Sequence, residues 1–218
     1  MKGEPVPIVQ RIEQLRRFDR TMERRYGLRF SPLAGIDEVG RGPLAGPVVA
    51  GAVVLRRFSF PVAIDDSKRL SPKAREAAFR AIVPHADVGI GVVYPEEIDR
   101  TGIHAACHAA MRLAFEKLST RPALVLVDGP SVWKDCPVQA VPVIGGDAKS
   151  LSIACASIVA KVIRDRWMDR LHLLVPEYGF MRHKGYGTSA HLKAIRRIGP
   201  SSFHRYSFHP MRPDAFPE

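Results

Sequence analysis

Asp37 and Glu38 are adjacent carboxylates, and Gly40-Arg41-Gly42-Pro43 follows them almost at once. Carboxylate oxygens bind hard divalent cations. Glycines on either side of an arginine let backbone amides approach an anion while the guanidinium grips it. Residues 35–46 therefore combine the means to hold a metal with the means to hold a phosphate. Asp128 and Asp147 share the setting of Asp37, each at the passage from an apolar run into a glycine turn (Asp128-Gly129-Pro130 and Gly145-Gly146-Asp147). Strand ends opening on such turns are where α/β sheets gather ligands. Three carboxylates brought together there repel one another, and their pKa values rise unless Mg²⁺ or Mn²⁺ neutralises them. The competing reading is that each Asp only caps its own turn. Glu38 adds a condition. Strand neighbours point to opposite faces, so Asp37 and Glu38 serve one site only where the strand ends or bulges, which Gly40 and Gly42 permit.

The elements that must position these groups follow from periodicity. Residues 8–27 place Ile8, Ile12, Leu15, Phe18 and Met22 at helical steps among arginines and acids, with Gly27 as the stop. This reads as an amphipathic arm on the domain, its arginines facing either a nucleic-acid strand or solvent. Strands are expected at 33–39, 47–55, 86–94, 123–127 and 138–144, the second buried on both faces. Helices are expected at 72–83, capped by Ser71 with Pro72 in its first turn, briefly after Pro95, at 104–118, and from about 148 to 168. In the 104–118 helix, His104, His108, Met111, Phe115 and Leu118 form the expected buried stripe, which makes both histidines packed core residues. In the 148–168 helix the inner stripe is Leu151, Ala154, Ile158 and Val162. The last fifty residues read as a lid or flank.

Composition bounds the function. The 218 residues suit one compact domain with a small appendage, divided as a basic helix over 1–30 and a catalytic body with its basic flank over 31–218. Residues 1–30 carry eight basic and four acidic side chains and residues 161–218 carry eleven and five, so nearly all of the +11 net charge lies at the two ends. Positive ends around a near-neutral, acid-bearing centre suit a phosphate-tracking surface around a metal site. Cys107, Cys136 and Cys155 form no Cys-x-x-Cys and read as reduced thiols. The longest apolar run, 44–55, is short of the roughly 20 residues a membrane span needs, and the N-terminus lacks an apolar signal core. The expectation is a cytoplasmic, monomeric protein without membrane attachment.

The stretch GIDEVGRGPLAGPVV (35–49) resembles the first motif of ribonuclease HII, the prokaryotic type 2 ribonuclease H. DDSKRLS (65–71), LVLVDGP (124–130), GGDAKSLSIACASIVAKVIRD (145–165) and HKGYGT (183–188) are similar to further motifs of that family, in its order. The resemblance implies an RNase H-like α/β fold, a mixed sheet flanked by helices, with the helical arm before it and a short helical flank after it. It implies hydrolysis of the phosphodiester 5′ to a ribonucleotide, in RNA–DNA hybrids and at single ribonucleotides in duplex DNA, leaving 3′-hydroxyl and 5′-phosphate ends. By position, Asp37, Glu38, Asp128 and Asp147 match the family's metal-binding catalytic acids, with Mg²⁺ or Mn²⁺ as cofactor. Gly40, Arg41 and Gly42 match the turn that senses the 2′-hydroxyl and its phosphate, and Tyr186 matches the tyrosine that packs on the deoxy-side sugar. Lys68 and Lys184 fall in matching motifs as phosphate contacts. Departures are Cys155, where a small residue is common, Gly187, where proline is common, and the basic N-terminal helix.

Other chemistries fit less well. His104 and His108 have a zinc spacing but lack a zinc protease's glutamate, residues 145–150 lack the GxxxxGK[ST] spacing, and no GxSxG elbow occurs. Ribonuclease HIII is the nearest alternative, but thirty-odd residues before the first acid leave little room for its extra domain. A basic binding module with structural acids would need no metal, and a carboxylate-pair glycosidase would not explain the basic ends.

Overall fold

The computed structural model describes residues 7–28 and 32–211. The expected boundary between 30 and 31, and residues 212–218 of the C-terminal flank, lie outside them. Five strands, β1 (Leu33–Val39), β2 (Val48–Leu55), β3 (Ala86–Val93), β4 (Leu124–Asp128) and β5 (Gln139–Val143), form one mixed sheet in the order β3-β2-β1-β4-β5. β3-β2-β1 is antiparallel throughout, while β1-β4-β5 is parallel. Every residue of the Val- and Ala-rich β2 is buried, as a central strand covered on both faces must be.

The helices are α1 (Ile8–Arg25), α2 (Pro72–Ile82), α3 (Pro95–Thr101), α4 (Ile103–Glu116), α5 (Leu151–Leu174), α6 (Phe180–His183) and α7 (Ser189–Ile198). α2 starts as its sequence dictates, with the Ser71 hydroxyl accepting from the Ala74 amide and Pro72 inside the first turn. α5 lies along one sheet face and α4 along the other. The α5 approach is close because Gly35 has no side chain: a Cβ there would sit 2.1 Å from the Ser152 carbonyl carbon. None of the described helices is long and apolar enough to cross a membrane.

Two helix faces differ from their sequence reading. α4 turns Ala106, Cys107, Ala110, Met111 and Ala114 inward, and His104 is exposed while His108 sits at the rim with its Nε2 3.1 Å from the Ser131 hydroxyl. The histidines are therefore not core residues. The reason is distance: Gly89 and Gly91 bring the helix so near to β3 that a Cβ at either would fall about 2 Å from the Ala114 or Ala110 carbonyl oxygen. At those two contacts only the alanines, Ala110 and Ala114, fit. α5 has no inner stripe in its first half, since all of Leu151–Ala160 is buried by sheet, α1 and α2 together, and the helix runs six residues past the expected end at 168. Cys155 is packed within that crowded segment.

Candidate active site

The parallel pairing of β1 and β4 runs up to Ile36 opposite Val127, so Asp37 and Asp128 occupy the next position on the same face. That face is the α5 side, because Gly35 backs onto α5 while Ala34, Ile36, Val125 and Val127 pack against α4 residues. Asp147 arrives from a third direction, on a 3-10 turn (Gly146–Ala148) after β5, entered through Gly145 in the left-handed conformation. The Gly146 amide donates to Asp128 Oδ1 at 2.6 Å, tying the end of β4 to the turn that carries Asp147. Asp128 therefore does more than cap its own turn. Asp37 itself lies two residues inside β1, not at its end.

Asp37, Asp128 and Asp147 each offer an oxygen within 4.8 Å of the other two. Asp37 and Asp147 are only 5% and 6% exposed, so water screens their charges poorly. Burial, then Glu38, Asp128 and Asp147, push the Asp37 carboxyl well above its ordinary range. Burial, Asp66 and Asp128 raise Asp147 against the pull of Lys68. An all-oxygen donor set in which Asp37 and Asp147 resist ionisation fits a hard divalent cation.

Glu38 stands beside this group, not within it. β1 neither ends nor bulges there, since Glu38 pairs with Ala50 and Val39 with Val49 in regular register. The side chain therefore turns to the α4 face, where Arg41 Nη1 sits 3.4 Å from Oε1. Burial raises its pKa despite Arg41. Burial, with Glu38 beside it, pushes the Cys107 thiol up to about 12.

The Gly40-Arg41-Gly42 turn is gripped from behind by two arginines that are 0% exposed. Arg205 donates to the carbonyls of Gly40 (2.6 Å), Arg41 (2.9 Å) and Gly46 (3.0 and 2.8 Å). Arg164 donates to Ala45, Pro47 and Lys184 at 2.9–3.1 Å. Gly40, at φ 97°, is needed both for its conformation and because a Cβ would strike Arg164 Nε at 2.3 Å. With its carbonyls turned inward, the turn leaves Arg41 itself half exposed. Tyr186 stands over the turn, 42% exposed, its ring 4.0 Å from where a Gly42 Cβ would lie. A histidine relay holds it: His191 Nδ1 is 2.9 Å from the Tyr186 carbonyl, and His191 Nε2 is 3.1 Å from His204 Nε2. Burial, above all, lowers both histidines to about 4.

Lys68 reaches the acids, its ammonium 3.5 Å from Asp147 Oδ2 while 80% exposed. Lys184 does not: its carboxylate partner among the described residues is Asp169 on α5. Arg164 and Arg205, two of the eleven basic residues in 161–218, are buried structural groups and add nothing to a phosphate-tracking surface. Nothing in composition separates them from surface arginines. On α1, Ile12, Leu15 and Met22 pack inward as expected, whereas Ile8 is exposed. Trp133 is buried against Phe115.

The family profile described as Ribonuclease HII matches residues 34–211. The chain is 50% identical over 206 residues to the ribonuclease HII of Geobacillus kaustophilus, covering 94% of this chain and 77% of that one. It is 49% identical over 185 residues to that of Chlamydia trachomatis serovar A, covering 84% of each. Among solved structures it is similar to ribonuclease H2 from Pyrococcus horikoshii (TM-score 0.71, 25% identity, 84% of this chain and 97% of that one). It also shares the fold of Bst-RNase HIII, solved in complex with Mn²⁺ (TM-score 0.63, 18% identity, 97% and 74% covered).

Proposed function

Because this chain belongs to the ribonuclease HII family, and is thereby a nuclease of the ribonuclease H class, we propose that it hydrolyses the phosphodiester 5′ to a ribonucleotide. The substrates are RNA–DNA hybrids and DNA duplexes containing single ribonucleotides, as in ribonucleotide excision repair. The observation that carries this reading is the convergence of Asp37, Asp128 and Asp147 beside a turn built to meet a phosphate. The Ribonuclease H family depends on divalent metal, and Mg²⁺ or Mn²⁺ is the cofactor proposed here. Family membership sets aside the binding module and the glycosidase.

The chain's own groups divide the work. Asp37, Asp128 and Asp147, with Glu38 at their edge, hold the cations. Two bound cations supply activation of the attacking water and stabilisation of the leaving 3′ oxygen. Arg41 meets the phosphate beside the ribonucleotide, while Gly40 and Gly42 let the backbone approach the 2′-hydroxyl, a group that can both donate and accept. Tyr186 packs on the sugar of the following deoxynucleotide and so reads the junction. Lys68 is positioned to exchange Asp147 for a substrate phosphate, and Lys184 is a more remote backbone contact. Free thiols at Cys107, Cys136 and Cys155 fit a reducing cytoplasm.

The test is cleavage of a labelled DNA duplex with one embedded ribonucleotide, mapped at nucleotide resolution. A single cut 5′ to the ribonucleotide, absent with EDTA and in Asp128→Asn, is the expected result. Cleavage confined to long hybrids would refute the roles given to Arg41 and Tyr186.

A further inference from the structure

The N-terminal helix has the composition of a nucleic-acid arm, but its contacts point elsewhere. Arg20 is 3.0 Å and Arg17 3.9 Å from Glu13, and Arg16 is 3.1 Å from Glu23, so much of its positive charge is answered within the helix. Two of its side chains instead reach the segment that carries Asp147. Asp19, 0% exposed, accepts from the Ser150 hydroxyl at 2.6 Å, the Ser152 hydroxyl at 2.9 Å and the Ser152 amide at 3.1 Å. Ser150 is itself the cap of α5, accepting from the Ile153 amide. Arg11 donates to the Ala148 carbonyl at 3.0 Å and to Asp65 Oδ1 at 2.6 and 3.2 Å, joining the Asp147 turn to the loop that carries Lys68.

The turn is thus held on both sides. Upstream of Asp147, the Gly146 amide is fixed to Asp128. Downstream, residues 148, 150 and 152 are fixed by α1. The turn closes locally through its own backbone, with the Lys149 and Ser150 amides donating to the Gly146 carbonyl at 2.9 and 2.8 Å, while the α1 contacts fix where the segment after Asp147 lies. We infer that α1 is a positioning element of the acid site: Asp19 and Arg11 hold residues 148–152 so that Asp147 stays within ligand distance of Asp37 and Asp128. The inference rests on the reading of Asp147 as a cation ligand.

The experiment is a calorimetric titration of Mn²⁺ into the full chain without nucleic acid, for wild type, Asp19→Ala, Asp19→Asn, Arg11→Ala and Arg17→Ala. Groups that orient metal ligands from outside typically govern about 10–100-fold in affinity. Asp19→Ala should weaken Mn²⁺ binding by about 10-fold. Asp19→Asn keeps one acceptor and should lose less, and Arg17→Ala, whose ion-pair partner among the described residues is Glu13, should change nothing. In cleavage assays the Asp19→Ala defect should be restored by excess cation, with KM for the duplex unchanged. If Asp19→Ala does not fold, Arg11→Ala carries the test, because that side chain is one-fifth exposed and closes no core; a roughly 3-fold loss is expected there, below the range for closer supports. Wild-type Mn²⁺ affinity in the folded Asp19 and Arg11 variants would overturn the inference, as would a raised KM for the duplex with Mn²⁺ binding intact, the behaviour of a nucleic-acid arm. A wild type that binds no Mn²⁺ would overturn the acid-site reading and this inference with it.

Discussion

Arg205→Met tests whether the phosphate-facing turn is built from behind. Arg205 makes four hydrogen bonds to three carbonyl oxygens, those of Gly40, Arg41 and Gly46, with its side chain fully buried. Methionine keeps much of the apolar stem and removes every donor. Each buried carbonyl left without a partner costs about 1–3 kcal/mol. Against that stands the cost of burying the guanidinium, which, with Arg164 close by, lowers its pKa to about 9. Removing the charge recovers part of this cost, and the net loss should be roughly 3 kcal/mol. Urea unfolding of the two proteins measures it directly. Arg205→Lys keeps the charge but cannot span three carbonyls, so it should recover less than half. The loosened turn should lower kcat/KM by roughly 100-fold, as displaced positioning groups do. A stability loss below about 1 kcal/mol with normal kcat/KM would show that Arg205 does not build the turn, since water would then be serving the carbonyls equally well.

Three further outcomes follow from the same contacts. Asp128→Asn keeps an oxygen for the Gly146 amide and relieves the crowding of three carboxyls, so without metal at pH 7 it should be more stable than wild type by about 1 kcal/mol; added Mg²⁺ should raise the Tm of wild type and not of the variant. His191 and His204, lowered to about 4 from 6.5, contribute stability that is fully present above the unfolded pKa and lost as pH falls from 6.5 through about 4. Replacing His204 by Gln should flatten that part of a Tm-against-pH curve, and an unchanged slope would show the relay does not titrate this way. Gly35→Ala would drive a methyl into the Ser152 backbone, and roughly 3 kcal/mol of destabilisation should be seen by thermal melting.

The parts of this site that were legible in sequence are those where residue type alone restricts the chemistry. Asp37, Asp128 and Asp147 could be picked out because each stands where an apolar run passes into a glycine turn, and the fold brings the three together. Glu38 shows the limit: its adjacency to Asp37 suggested one shared site, and an unbroken register turns it toward α4, so it meets the three aspartates from their edge. Arg164 and Arg205 were illegible because a guanidinium that binds three carbonyls inside the protein has the same one-letter code as one that binds phosphate outside it. The α4 face did carry a signal. Ala106, Ala110 and Ala114 recur at four-residue steps, and Gly89 and Gly91 at two, a pairing of small surfaces that outweighs the histidine stripe once close approach is considered. The packed histidines of this protein are His191 and His204, brought together only by tertiary structure.

On the proposed reading, cations held by Asp37, Asp128 and Asp147 act on the scissile phosphate itself. Sulfur in place of a non-bridging oxygen at that phosphate discriminates, because Mg²⁺ binds sulfur poorly and the softer Mn²⁺ accepts it. Cleavage of one of the two phosphorothioate diastereomers should collapse with Mg²⁺ and return with Mn²⁺, with Asp128→Asn inactive in both. Equal cleavage of the oxygen and both sulfur substrates with Mg²⁺ would contradict the claim.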